Sequence, residues 1–422
     1  MKKQIRLLAL GVSAAILIAA CGGGGATNAP ASAAPPASEA PAASEPAGSA
    51  PAAMVPLEGT LTLWHTYSSG AGTELDALNE ILDQVKAENP GLTLNVLEVP
   101  FNDVFNKYNA DAATGAGPDL FIAPNDSLGF QAREGVIADL DSMIADKLGD
   151  ITETAVNGSK VDGKLYMVPE SLKAVAMYYN ADKVATPPAT TDELLAAVKD
   201  GTINAGFFGG ADGAYHNFGW WAAFGGQLMD DTGTCIADQG GVAEAHAYLA
   251  ELQAAGAKFF PSYDDMANGF KDGSLDLIVD GPWASGGYKE TVANLGVAPM
   301  PAGPSGPAQP LSGVDGWYIN PNSANMQLAV DFALRTTDAS AQQIFVDKAG
   351  HIPANSTIAI TDPLTQGFAD AVATGFPRPQ VKELDNFWGN FGNALQVVLE
   401  SGTDPTEAIA TACSEMNKAN GK

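Results

Sequence analysis

Residues 61–99 read LTLWHTYSSGAGTELDALNEILDQVKAENPGLTLNVLEV, and the periodicity of this stretch decides the fold class. Leu61-Thr-Leu-Trp64 is a short apolar strand. Leu75, Leu78, Ile81, Leu82 and Val85 then recur at helical spacing as far as Glu88, the stripe that lets one helix face pack on a sheet. Asn89-Pro90-Gly91 stops the helix, because proline has no amide donor and glycine admits turn geometry. Residues 92–99 read as a second strand. A helix over residues 104–114 and a strand resuming at Pro118-Asp119-Leu-Phe-Ile122 repeat the pattern. Strands joined through helices of about 10–15 residues require crossover connections, so the chain is α/β with parallel strand pairs. Further on, Thr190 with Glu193 makes a capping box, and Asp404-Pro405 with Glu407 caps a terminal helix. Periodicity alone does not choose between one sheet and two.

Upstream of this body the composition changes twice. Lys2, Lys3 and Arg6 precede a 14-residue apolar run over residues 7–20, too short to span a bilayer in a mature protein. It ends in Ile18-Ala19-Ala20-Cys21, which resembles the lipobox of bacterial lipoproteins. Cleavage before Cys21 and lipidation of its sulfur would leave an anchor and no transmembrane helix; the plainer reading is a cleaved leader with an incidental cysteine. Residues 22–56 open on four glycines, followed by Ala, Ser and seven prolines with no aromatic residue. Such a segment buries no core and is expected to act as a disordered leash, reaching at most roughly 100 Å.

Charge narrows the partners. The 422 residues carry 21 Lys+Arg against 49 Asp+Glu, a formal charge of −28, which argues against nucleic acid or an anionic membrane surface as a partner. Only four arginines occur, Arg6, Arg133, Arg335 and Arg378, so bidentate recognition of phosphate or carboxylate is poorly supplied. Catalytic signatures are missing: no Gly-x-Ser-x-Gly elbow, no His-Glu-x-x-His, no Walker loop and no Cys-x-x-Cys. Asp264-Asp-Met-Ala-Asn-Gly269 fails the calcium-loop pattern at Met266 and Leu275. The four histidines are scattered singly, as structural histidines usually are. Cys235 and Cys413 are either a disulfide of an extracytoplasmic protein or two separate buried thiols; spacing does not decide.

Aromatic residues beside turns are the enriched feature. Trp64-His-Thr-Tyr67, Tyr215-His-Asn-Phe218-Gly-Trp220-Trp221, Gly281-Pro-Trp283, Gly316-Trp317-Tyr318 and Phe387-Trp388 all occur next to polar groups. Flat rings suit the C–H faces of pyranoses, and nearby polar side chains suit the hydroxyl rims. Packing of the same rings in cores is the competing reading for each.

These segments also carry a resemblance. Leu61-Thr-Leu-Trp64, Thr114-Gly-Ala-Gly117-Pro-Asp119-Leu-Phe, Asp162-Gly-Lys-Leu-Tyr166-Met-Val-Pro169, Tyr178-Tyr-Asn180, Ala222-Ala-Phe-Gly225-Gly226, Val279-Asp-Gly281-Pro-Trp283-Ala and Phe387-Trp388 follow one another as in the solute-binding proteins of ABC importers. The branch it resembles includes the maltose- and maltodextrin-binding proteins. The resemblance implies a two-lobed periplasmic-binding-protein fold with a hinge and a cleft between the lobes. Lobe one would combine 57–170 with 300–337, and lobe two 171–299 with 338–422. It implies a monomer that is not an enzyme and uses no cofactor or metal, anchored outside the cytoplasm and serving a permease.

Carried over residue by residue, Tyr215, Trp283 and Trp388 match aromatic platforms of the maltodextrin site, and Asp126 matches an acid that bonds sugar hydroxyls. The pattern also departs: Ala123 stands for a tryptophan and Ser127 for a basic residue. Ser68 and Ser69 stand for an Asp-Lys pair, Lys173 and Gly213 for glutamates, and Gly392 for an arginine. His65, Glu170, Lys173, Asp315 and Trp317 are the residues expected to supply replacement hydrogen bonds or stacking. Maltodextrin is the favoured solute. A surface glycoside-active enzyme and a binding protein for another solute class are the alternatives.

Overall fold

The computed structural model describes residues 56–67, 73–211 and 213–422. Cys21, the leader, most of the leash, Ser68 and Ser69 lie outside the described residues. The opening stretch folds as its periodicity requires. Strand Gly59–His65 leads to helix Glu74–Glu88, strand Leu92–Glu98, helix Phe101–Ala112 and strand Leu120–Pro124. The first strand runs parallel to both others, with Leu63 opposite Val96 on one side and Leu120 on the other. Ala77, Leu78, Ile81, Leu82 and Val85 are the buried face of the first helix. Asn89 closes its end: the side-chain amide donates to the Val85 carbonyl, and its oxygen accepts the Leu57 amide at 2.7 Å.

Two large sheets form the body, besides a two-stranded ribbon of Lys160–Val161 and Lys164–Leu165. The first runs in the order Ile352–Pro353, Val168–Lys173, Leu311–Ile319, Leu120–Pro124, Gly59–His65, Leu92–Glu98, with Phe376–Pro377 also paired to Leu311–Ile319. Its central strand, Leu311–Ile319, is buried along all nine residues and antiparallel to both neighbours. The second sheet runs Leu295–Ala298, Ala176–Asn180, Leu277–Asp280, Ala205–Phe208, Lys258–Phe260. The chain crosses between them through Ala174 and Val175, again between Ala298 and Leu311, and passes finally to the second lobe after Pro377. The architecture is α/β and two-lobed, one lobe around each sheet.

The expected lobe boundaries need correction. Strand Val168–Lys173 continues past residue 170, and Ile352–Pro353 pairs with Leu172 and Ser171. Helix Ala339–Ala349 buries Ala341, Phe345 and Ala349 in one apolar cluster with Leu78, Ile81 and Leu82 of the first helix. Residues 338–353 therefore lie with the first sheet, not in lobe two.

Helices Val242–Ala255, Trp388–Ser401 and Pro405–Ala419 build the core of the second lobe with Phe207, Trp220 and Trp221. Cys235 and Cys413 are joined there as a disulfide, both sulfurs buried, across 178 residues of sequence. The bond ties the loop before residue 237 to the last helix.

A buried ion cluster fastens the first lobe. His351 follows the helix Ala339–Ala349, and its ring stacks on Phe345 with centroids 4.7 Å apart. Its Nε2 donates to Glu74 at 2.9 Å and its Nδ1 to Glu170 at 3.1 Å, so both nitrogens are donors. Burial alone would push the imidazolium to lower pKa, but the Glu170 charge and hydrogen bonds to Glu170 and Glu74 raise it to about 10. Burial raises the Glu74 carboxyl despite the bond to His351.

Replacing Cys235 and Cys413 together by serine should cost about 2–5 kcal/mol in urea denaturation; an unchanged midpoint would show that the bridge is not formed in solution. The raised His351 pKa contributes stability that is complete below the unfolded value near 6.5 and drains away as pH climbs toward 10. The protein should therefore lose stability between about pH 7 and 10. At pH 6, His351→Leu should cost about 3–5 kcal/mol by stranding two buried carboxylates, and it should flatten that alkaline decline. An equally steep decline in the variant would assign it to other groups.

Candidate functional site

The structure draws most of the expected rings and charges to one place where the strand ends of the two sheets meet. Strand Leu277–Asp280 stops at Gly281-Pro282, and Trp283 follows in a single 3-10 turn, half-buried. Tyr215, in the short helix Ala214–Asn217, has its ring centroid 6.0 Å from that of Trp283. Trp388 opens helix Trp388–Ser401 and is also half-buried. The remaining bulky rings of the Tyr215 patch do not join them: Phe218, Trp220 and Trp221 are core of the second lobe.

Charges enter from the first sheet as ion pairs. Lys173, the last residue of its strand, pairs with Asp315 at 3.0 Å and lies over Trp283 with Nζ 5.6 Å from the ring centroid. Asp126, just beyond strand Leu120–Pro124, pairs with Arg378. The Arg378 guanidinium also donates to Asn125 at 3.0 Å and stands 5.2 Å from the Tyr215 centroid and 5.4 Å from that of Trp388. The order is Lys173, Trp283, Tyr215, Arg378, Trp388: two adjacent rings between two cations, and a third ring beyond Arg378. A cation over a ring face gains from the ring quadrupole, more so when desolvated, and a paired cation brings no net charge. Such a surface suits a neutral ligand with both apolar faces and hydroxyls.

Three candidates stand elsewhere. Trp317 is 1% exposed, packed edge-on to Phe332 among aliphatic side chains. It is core and not a stacking platform, because its strand is covered on both faces. Glu170 is likewise withdrawn: the register between Val168–Lys173 and Leu311–Ile319 skips it, setting Asp315 opposite Ser171 and Gly316 opposite Pro169. A bulge of this kind re-aims a side chain, and Glu170 turns to His351. His65 is buried at the end of its strand, 6.3 Å from the Tyr67 ring. Burial lowers its pKa against the Glu98 charge, and its Nδ1 has no partner among the described residues.

Arg378, Asn125 and His216 join the site without having been among the residues expected there. His216 meets Trp283 edge-on at 5.9 Å, with Nε2 3.5 Å from Asp280. Arg378 had a faint signal, an arginine held between two prolines, which fix the local backbone. Burial raises the Tyr215 hydroxyl pKa although the Arg378 charge opposes it. Among the described residues no three His, Cys, Asp or Glu side chains are placed to hold a metal ion.

Known proteins give the same architecture. Residues 80–373 match the family model described as bacterial extracellular solute-binding protein. A maltodextrin-binding protein of Bacillus subtilis is 25% identical over 82% of this chain and 88% of its own length. The GacH receptor of Streptomyces glaucescens, solved unliganded and with acarbose, superposes with a TM-score of 0.79 at 25% identity, covering 86% of this chain and 98% of that one. The maltotriose-binding protein of Thermus thermophilus, solved with maltotriose, gives 0.77 at 28% identity over 85% and 100% of the two chains. On the family match and the two-lobed fold that carries it, this chain belongs to the bacterial extracellular solute-binding proteins.

Proposed function

We propose that the protein captures maltodextrin-class oligosaccharides between its lobes and delivers them, chemically unchanged, to an ABC permease. The observation that carries this reading is the gathering of Trp283, Tyr215 and Trp388 around the Lys173–Asp315 and Arg378–Asp126 pairs. Ring faces exclude water from the C–H faces of glucose units, and the paired side chains offer donors and acceptors to the hydroxyls. Each pair is already neutral, so a neutral sugar leaves no charge stranded. The Bacillus subtilis relative is named for maltodextrin, and the Thermus thermophilus structure holds maltotriose.

Binding then needs no reaction. A solute that touches groups from both sheets favours whichever lobe arrangement presents both at once, and it shifts the population by its differential affinity for that state. The mature chain is proposed to work as a monomer, tethered outside the cytoplasm by lipid on Cys21, with residues 22–56 giving the body reach.

Calorimetric titration with maltotriose should show saturable binding, and the same sugar should raise Tm by the mass-action term. Trp283→Ala should weaken it by about 1–3 kcal/mol while leaving the ligand-free melting transition in place; equal affinity in wild type and variant would remove Trp283 from the site. Recovery of shortened products after incubation with maltooligosaccharides would instead establish a glycosidase. For the anchor, cells fed a labelled fatty acid should incorporate it into wild type and not into Cys21→Ala. Label of equal strength in both rejects lipidation at Cys21.

A further inference from the structure

Trp283 is held at its edge as well as presented at its face. Asp280, the last residue of its strand, is fully buried. Its Oδ1 accepts the Gly281 amide at 2.8 Å, and its Oδ2 accepts the hydroxyls of Tyr288 at 2.5 Å and Tyr263 at 3.0 Å. Tyr263 has spent its single proton on Asp280, and its oxygen accepts the indole N–H of Trp283 at 2.8 Å. Burial, followed by the Asp280 charge, raises the pKa of both tyrosines, which keeps them protonated donors. The relay runs one way only, Trp283 to Tyr263 to Asp280. Gly281 completes the clamp: a Cβ there would meet the Trp283 ring at 2.0 Å, so the indole is folded back across the glycine.

We propose that Tyr263 and Asp280 are positioning residues, which lock the Trp283 indole so that it offers a solute its face and none of its hydrogen-bonding capacity. The proposal rests on the reading of Trp283 as a sugar platform. With its N–H committed, Trp283 cannot read a hydroxyl; selectivity among sugars falls to Lys173, Asp315, Asp126 and Arg378. A ring fixed before binding costs less ordering on capture. Without the relay the indole gains an unpaired donor and a second orientation.

A double-mutant cycle separates positioning from direct contact. Maltotriose affinity is measured by calorimetry for wild type, Tyr263→Phe, Trp283→Ala and the double variant. Tyr263→Phe should weaken binding about 3–10-fold in the wild type, the range for one lost hydrogen bond, and change nothing in the Trp283→Ala background. The same loss in both backgrounds, or none in either, overturns the proposal. Protein labelled with 5-fluorotryptophan gives an arm free of sugar: the Trp283 fluorine resonance should shift or broaden in Tyr263→Phe and in Asp280→Asn, whereas an unmoved resonance in both overturns it. If wild type binds no saccharide, the proposed function fails while the resonance still decides whether the relay holds the ring.

Discussion

Two buried residues, Ala174 and Val175, carry the chain from one sheet to the other, and the geometry of the site depends on that short crossing. Lys173 ends the strand opposite Gly313 in the first sheet, and Ala176 begins the strand opposite Asp280 in the second. Three residue steps separate them, at most about 11 Å of extended chain. That limit brings Lys173 within reach of Trp283, three positions beyond Asp280, and brings Asp315 to neutralise the lysine. A longer linker would leave the two strand ends free to drift and Trp283 without its cation.

Charge within the site is organised locally despite a formal total of −28. Arg378 and Lys173 each have an aspartate, and Asp280 has three hydrogen-bond donors. A buried charge left unpaired is expensive, so a site assembled from satisfied charges is fit for a solute that brings none. The acid excess belongs to the surface, where it favours solubility and discourages anionic partners.

The alternation of strand and helix was legible because it rests on periodicity: the stripe Leu78, Ile81, Leu82, Val85 is the buried face of its helix. Tyr215, Trp283 and Trp388 were singled out from a larger set of aromatic residues beside turns by the resemblance, and they gather around the same charges. Arg378 was not, since counting four arginines says how few there are and nothing about where one stands; pairing of Phe376–Pro377 with Leu311 and Ser312 sets it beside Asp126 across 252 positions. Glu170 was misread because a one-residue register skip is invisible in the sequence, and Trp317 because Gly316 beside it suggested a turn where the strand runs on. The placement of residues 338–353 depended on a tertiary choice between two apolar surfaces.

The most direct test of the account is a crystal structure of the protein grown with maltotriose. An intact sugar should lie with its ring faces against Trp283 and Tyr215, its hydroxyls bonded to the side chains of the two ion pairs, and the indole N–H still on Tyr263. A sugar bound elsewhere, or a crystal saturated with maltotriose in which these rings touch only protein, would contradict it.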